Sequence, residues 1–320
     1  MKFAGPLPWM GPLATPALVA RAATTVEALG YDGVAIGEHL FYPKQIRARY
    51  PYRSDGVVSV DRTADHLEIF TTLAYVAAHT RRLELLTHVV VLPYRSPVVT
   101  AKLAANVDFL SDGRLTLGVG VGWLRDEFEV LGVDWHRRGR NTDEALAVLR
   151  CLFEGEGPFE GSAISIPEVH FNPKPVQRPL PIWIGGMGPA AFRRVARFGQ
   201  GWAPIASVQD VAAAGPALRA ALEAAGRGAE QVDIYGRLFV ERGAARDAVG
   251  AGIDYGGSAR SANAEDLLET ISEWAAAGAT YLSVNTGQLH KTSIEEVLDD
   301  AAWFAEEVMP EARKITRPSG

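Results

Sequence analysis

The chain has 320 residues, of which 48% are apolar and 22% charged, a composition that supplies a large core and excludes a mostly disordered chain. That length allows two ordinary domains or one α/β barrel. A formal net charge of −6 gives no global basic character, so no nucleic-acid partner is expected, and the single cysteine, Cys151, excludes an intramolecular disulfide framework.

Lys2 to Leu7 reads as a first strand, and the surrounding MKFAGPLPWMGP is too broken by proline to read as a signal peptide. Leu18, Ala22, Val26 and Leu29 recur at helical spacing, and Gly30 stops that helix. Gly33 to Gly37 is a short strand ending in Glu38-His39. A polar, proline-punctuated loop runs from about Tyr42 to Thr63, and a helix is expected from about Ala64 to Ala78. The apolar run Leu83 to Leu92 is followed by Pro93, a Ser96-Pro97 helix start and a Ser-Asp-Gly stop. A second apolar run, Leu115 to Val121, then opens into alternating glycines. Both runs read as strands buried on both faces, so together with the helix between them they form a βαβ unit.

Arg138 to Phe153 is helical, with Cys151 on its apolar side, and Gly155 to Val176 is an irregular insertion rich in Gly and Pro. Pro181 to Ile184 is a strand that enters the turn Gly185-Gly186, and a helix follows around Ala190 to Phe198. Trp202 to Ile205 is a short strand, Val208 to Ala225 a helix, Val232 to Glu241 a strand, Glu265 to Ala277 a helix and Tyr281 to Asn285 a strand. Ile294, Val297, Leu298, Ala301, Ala305 and Val308 line one face of a last helix. No stretch reaches about 18 uninterrupted apolar residues, so no membrane span is expected and a cytoplasmic enzyme is the default class. Eight strands alternating with helices predict one α/β domain over residues 1–320, a single (β/α)8 TIM barrel with insertions. An open doubly wound sheet is the rival. Against it, no G-x-G-x-x-G follows the first strand, and the glycine turns come after the fourth and fifth.

In a barrel, ligands bind at the carboxyl ends of the strands, which selects the candidate residues. His39, beside Glu38, can face a bound ring and exchange a proton near neutrality, or it can simply tie the loop to the rim. Thr87, His88 and Val89 either bulge toward a flat ring or continue a buried strand. Gly120, Val121, Gly122 and Trp123 let backbone approach a ligand, or they pack a barrel corner. Gly185, Gly186, Met187 and Gly188 open a helix whose N-terminus attracts phosphate, with Arg193 and Arg194 one turn on. The loop residues Arg47, Arg49, Arg53 and Arg62, with Tyr42, Tyr50 and Tyr52, read either as a lid that meets an acidic ligand or as a solvated loop. Asp65 and His66 belong to the pocket or cap the next helix, and Trp9 is placed with them in a substrate pocket. The histidines show no metal-ligand spacing, so no metal is expected, and no G-x-S-x-G nucleophile elbow occurs.

Five runs, taken in order, resemble the luciferase-like monooxygenase superfamily. They are GYDGVAIGEH (Gly30 to His39), THVVVLPYRSPVVTAK (Thr87 to Lys102), FLSDGRLTLGVGVGWLRDEFEVLGV (Phe109 to Val133), RGRNTDEAL (Arg138 to Leu146) and PIWIGG with RVARFGQGW. The SDGR turn and the GVGVGWLRDEF run favour the branch that uses coenzyme F-420, a deazaflavin. Sister branches use reduced FMN and oxygen. The resemblance implies a (β/α)8 barrel, a homodimer, and hydride transfer between the deazaflavin and a small organic substrate. It also implies a non-proline cis peptide near His88-Val89 that buttresses the ring, Glu38 and His39 beside the reacting ring, Gly120 to Trp123 flanking the cofactor, and Gly185 to Gly188 on its phosphate. Three readings stay open: a deazaflavin oxidoreductase, an FMN monooxygenase, and a catalytically silent binding barrel. The substrate is set by loops such as Tyr42 to Thr63.

Overall fold

The eight strands that close the central sheet are parallel, and each is paired on both edges. The computed structural model describes residues 1–52, 55–58, 61–155, 157–240, 242, 260–261 and 263–315. The strands are β1 (Lys2–Gly5), β2 (Gly33–Ile36), β3 (Glu84–Thr87), β4 (Leu115–Gly120), β5 (Ile182–Ile184), β6 (Gly201–Trp202), β7 (Asp233–Val240) and β8 (Tyr281–Asn285). Each pairs with the next, and β8 returns to β1 with Lys2 opposite Tyr281, so the sheet closes into a barrel. Closure removes every sheet edge, and strands buried on both faces need the continuous apolar runs seen in the sequence.

Around the barrel run α1 (Pro16–Ala28), α2 (Ile69–His79), α3 (Pro97–Leu110), the short α4 (Arg125–Val130), α5 (Arg138–Glu154), α6 (Pro189–Phe198), α7 (Val208–Ala224), α8 (Ala264–Ala276) and α9 (Ile294–Trp303). Proline stands at the first position of α1, α3 and α6, where its missing N–H costs nothing. The expected start of α2 at Ala64 is corrected to Ile69. His66 is held extended by a bridge to Met10, and Glu68 caps the helix by accepting from Thr71 N at 2.7 Å. The insertion carries a small antiparallel pair, Phe159–Glu160 with Ser165–Ile166. Glu241, the expected end of the seventh strand, lies outside the described residues.

Inside the barrel, Ala4, Leu86, Trp183, Ala203, Tyr235 and Tyr281 form a closed apolar plug. These residues come from strands all round the wall and leave the carboxyl-end mouth as the open end, as interior layers do in this architecture.

The predicted strand Leu83 to Leu92 is interrupted. β3 ends at Thr87, the His88–Val89 peptide is cis, and pairing with β4 resumes at Val90 and Val91. Leu86 to Val90 spans four residues where the partner advances only from Thr116 to Val119, so β3 carries one extra residue, a bulge. Glycines make room for it. A Cβ on Gly118 would lie 2.0 Å from the Thr87 carbonyl oxygen, one on Gly120 2.7 Å from Val89 Cγ2, and one on Gly185 3.2 Å from Val89 Cγ1. The alternating glycines of β4 therefore serve the close packing of the bulge.

Candidate active site

Glu38 and His39 leave β2 in opposite directions, as successive residues of an extended chain must. The Glu38 side chain turns into the wall, where the residue is 7% exposed. One of its oxygens accepts from Val91 N at 2.6 Å and the other from the Arg95 guanidinium. Burial pushes this carboxyl up, and Arg95 opposes the shift. Glu38 was expected among the catalytic groups. It stands among the residues that line the mouth, and both its oxygens join β2 to the segment after the bulge.

His39 lines the mouth. Its Nδ1 lies 2.8 Å from Glu127 Oε2, and the Glu127 side chain is fully buried. Glu127 also accepts from Tyr94 OH at 2.5 Å and from Leu40 N at 2.7 Å. Burial, with the Glu127 charge second, raises the Tyr94 phenol, which therefore stays protonated and donates. An acceptor-only Glu127 places the His39 proton on Nδ1 and leaves Nε2 for the cavity. Glu127 was not identified from the sequence. A signal for it existed, because Leu124, Glu127 and Phe128 share one buried helix face, and a carboxylate there requires a partner.

His88 forms the floor beside the plug, its ring 4.4 Å from that of Tyr235. Arg237 Nη2 lies 3.0 Å from His88 Nδ1. A guanidinium only donates, so Nδ1 is bare and the proton sits on Nε2, a buried atom without a protein partner. Burial first and the Arg237 charge second hold His88 well below the usual histidine range, so it is neutral. Val89 lines the cavity and packs against Gly120 and Gly185. Thr87 does not reach the cavity. It is 1% exposed, and its hydroxyl donates to Gly118 O at 2.7 Å.

Trp9, Gly120, Val121, Gly122, Trp123, Gly185 and Gly186 also line the mouth, whereas Asp65, His66, Met187 and Gly188 do not. Asp65 is exposed, and its carbonyl accepts from Gly11 N at 3.0 Å. His66 stands in the wall, edge-on to Trp9 at 4.8 Å, with both ring nitrogens buried and without a partner. The loop after β2 contributes Tyr42, Tyr50 and Tyr52 to the cavity, whereas Arg47, Arg49 and Arg62 do not line it. Arg47 is held by Asp126 at 2.8 Å and by Glu129, and Arg62 donates to Lys44 O at 3.1 Å. Arg53 lies outside the described residues. Of the two readings of this loop, lid and solvated stretch, its tyrosines fit the first and Arg47 and Arg62 the second.

His66 has a consequence for stability. Burial, with a smaller contribution from His39, pulls its imidazole from 6.5 down to about 4. The unfolded chain takes up this proton at the higher pH and the folded chain at the lower. The contribution is therefore complete above pH 6.5 and is lost as pH falls toward 4. We predict that His66→Gln removes about 2–3 kcal/mol of the wild-type stability loss between pH 7 and pH 4.5. Urea unfolding at both pH values measures it, and equal losses in the two proteins would contradict the burial of a neutral His66.

The residues present fit a ring cofactor with a phosphate tail. The bulge at Val89 gives a firm apolar surface beside the buried ring of His88. Gly186 and Gly188 adopt φ of +93° and +91°, and no atom lies within 4 Å of a Cβ placed on Gly188. The N-terminus of α6 has no side-chain cap, so no side chain of the protein occupies the place of an anion there. Arg194, one turn on, is engaged with Asp143 at 2.6 Å. Among the described residues, no group of three or more His, Cys, Asp and Glu is placed to hold a metal ion, and no helix is long and apolar enough to cross a membrane.

A histidine–carboxylate pair and an apolar shelf at the carboxyl mouth of a closed barrel stand where this architecture places active sites. The chain belongs to the luciferase-like monooxygenase family, whose model matches residues 4–304. An uncharacterized protein of Mycobacterium tuberculosis is 35% identical over 181 residues, which are 56% of this chain and 62% of that one. The phthiodiolone/phenolphthiodiolone dimycocerosates ketoreductase of Mycobacterium kansasii is 33% identical over 224 residues, 66% of this chain and 60% of its own length. The match thus spans less than two thirds of either relative. A solved F420-dependent secondary alcohol dehydrogenase, in complex with an F420-acetone adduct, shares the fold with a TM-score of 0.74 at 18% identity, over 98% of both chains.

Proposed function

We propose that the protein is a coenzyme F-420-dependent oxidoreductase that interconverts a carbonyl and an alcohol, or an equivalent pair, on a small organic substrate. The observation that carries this reading is His39, locked by Glu127 with Nε2 toward a cavity whose floor is the His88-Val89 shelf. When bound, the deazaflavin supplies or accepts a hydride at one carbon of its central ring. His88 and Val89 support the ring from below, and Gly185 to Gly188 with the α6 N-terminus take the phosphate. In the reducing direction a doubly protonated His39 would give its Nε2 proton to the substrate oxygen and return to the neutral Nδ1–H tautomer held by Glu127. In the oxidising direction His39 removes the hydroxyl proton. Glu127 keeps the imidazole in the required tautomer and offsets the charge it acquires. The ketoreductase relative supports carbonyl chemistry. A second reading, an FMN-dependent monooxygenase, is favoured by the family's own description.

Binding of the phosphate is tested by Gly186→Asp. The substitution brings a carboxylate to the positive end of α6 and puts a side chain on a residue with φ of +93°. Cofactor affinity is expected to fall at least about tenfold, or about 1.4 kcal/mol. Unchanged affinity in a folded variant would move the phosphate elsewhere. We further propose a homodimer, because α3 exposes Val98, Val99, Phe109 and Leu110 and α2 exposes Tyr75. A monomer mass by light scattering at micromolar concentration would contradict it.

A further inference from the structure

The wall on the His39 side of the mouth is aromatic. Trp9, Tyr42, Tyr50, Tyr52 and Trp123 all line the cavity. Ring centroids lie 4.6 Å apart for His39 and Tyr42, 5.5 Å for His39 and Trp123, and 4.9 Å for Tyr50 and Trp123. His39 is thus the polar group set among these rings, with its free nitrogen on the cavity side. Cations near this wall are answered by the protein. Arg95 is paired with Glu38, and Arg47 with Asp126 and Glu129 on the outer side. Arg237 lines the floor of the cavity, away from His39, and donates to the neutral His88. A carboxylate or phosphate ester against His39 would instead approach the buried Glu127, which pairs with no lysine or arginine among the described residues. Desolvating such an anion without a partner is unfavourable, whereas a flat ring gains burial and edge-to-face contacts from several side chains at once.

Resting on the reading of this cavity as the substrate site, we propose that the protein acts on a flat, uncharged, ring-containing compound whose oxygen function lies against His39 Nε2. The aromatic loop after β2 is the specificity determinant. Tyr50 and Tyr52 are brought over the mouth by a segment that Arg47 fastens to α4, so the cage is assembled from loop and barrel together.

Calorimetric titration with three probes of similar size tests this: 2-acetonaphthone, 2-naphthoate and 2-octanone. Each is added to the protein alone and to the protein saturated with FMN or with F-420, whichever it binds. The ketone with the naphthyl ring is expected to bind at least about tenfold tighter than either of the others, with and without cofactor. Tyr50→Ala and Tyr52→Leu, each checked by thermal melting, are expected to erase about tenfold of that preference. Naphthoate binding as tightly as the ketone would overturn the proposal and point to Arg237 as an anion site. Equal binding of 2-octanone would overturn the preference for rings. Loss of naphthyl binding once cofactor is present would assign the cage to the cofactor ring and overturn it too. If neither cofactor binds, the F-420 reading fails on its own, while the probe order measured on the protein alone still decides the substrate class.

Discussion

His39→Ala is expected to lower kcat at least about a hundredfold while cofactor affinity stays within about threefold of wild type. His39 is the mouth residue whose free ring nitrogen can exchange a proton with a substrate oxygen, and its other nitrogen is fixed by Glu127 at 2.8 Å. Removing it deletes the proton donor and leaves the shelf and the α6 N-terminus intact, so the loss falls on turnover. Glu127→Gln should keep the shape of the site and still cost at least about tenfold in kcat, because an amide can present its N–H₂ to Nδ1 and release the tautomer. Steady-state kinetics with the accepted cofactor measure both. Near-wild-type kcat in His39→Ala would reduce His39 to a rim residue and shift the search to His88 and Tyr42.

Gly118→Ala is expected to destabilise the fold by more than about 3 kcal/mol, or to prevent folding, because overpacking against fixed backbone cannot be relieved by a rotamer change. Its Cβ would sit 2.0 Å from the Thr87 carbonyl oxygen, a main-chain atom held at the end of β3. Gly215→Ala in α7 is the control. Nothing lies within 4 Å of a Cβ there, and alanine should be neutral or stabilising by up to about 1 kcal/mol. Chemical unfolding of the two variants checks the contrast, and similar stabilities would mean that β4 and the bulge are not in close contact.

Much of the architecture was legible because its cause is local. Eight apolar runs separated by helix-period segments leave few closed topologies, and proline and glycine mark the boundaries. The interruption at His88-Val89 was not legible from periodicity, since Leu83 to Leu92 is apolar throughout and the extra residue shows only against β4. The site was legible in part. His39 stands at a strand end, and the glycine turns stand where a ligand's phosphate would be met. Glu127, Tyr94 and Arg237 were not read, because each acts through a partner far along the chain. His39 and Glu127 are 88 residues apart, and His88 and Arg237 are 149 apart. The division of the loop after β2, tyrosines at the mouth and Arg47 outside it, was not legible for the same reason, since the carboxylates that take up Arg47 lie about eighty residues on, at Asp126 and Glu129. Side-chain charge is visible in a sequence, but what neutralises it is a property of the fold.

For this cavity we propose a bound deazaflavin that serves hydride transfer. The most direct measurement is a paired titration of the purified protein with coenzyme F-420 and with FMN, followed spectroscopically and repeated for the reduced forms under air. The account predicts that F-420 binds at least about tenfold tighter than FMN and that its reduced form persists in air on the protein until a carbonyl substrate is added. Tighter binding of FMN, with oxygen consumed by its reduced form on the protein, would contradict the account and establish the monooxygenase reading.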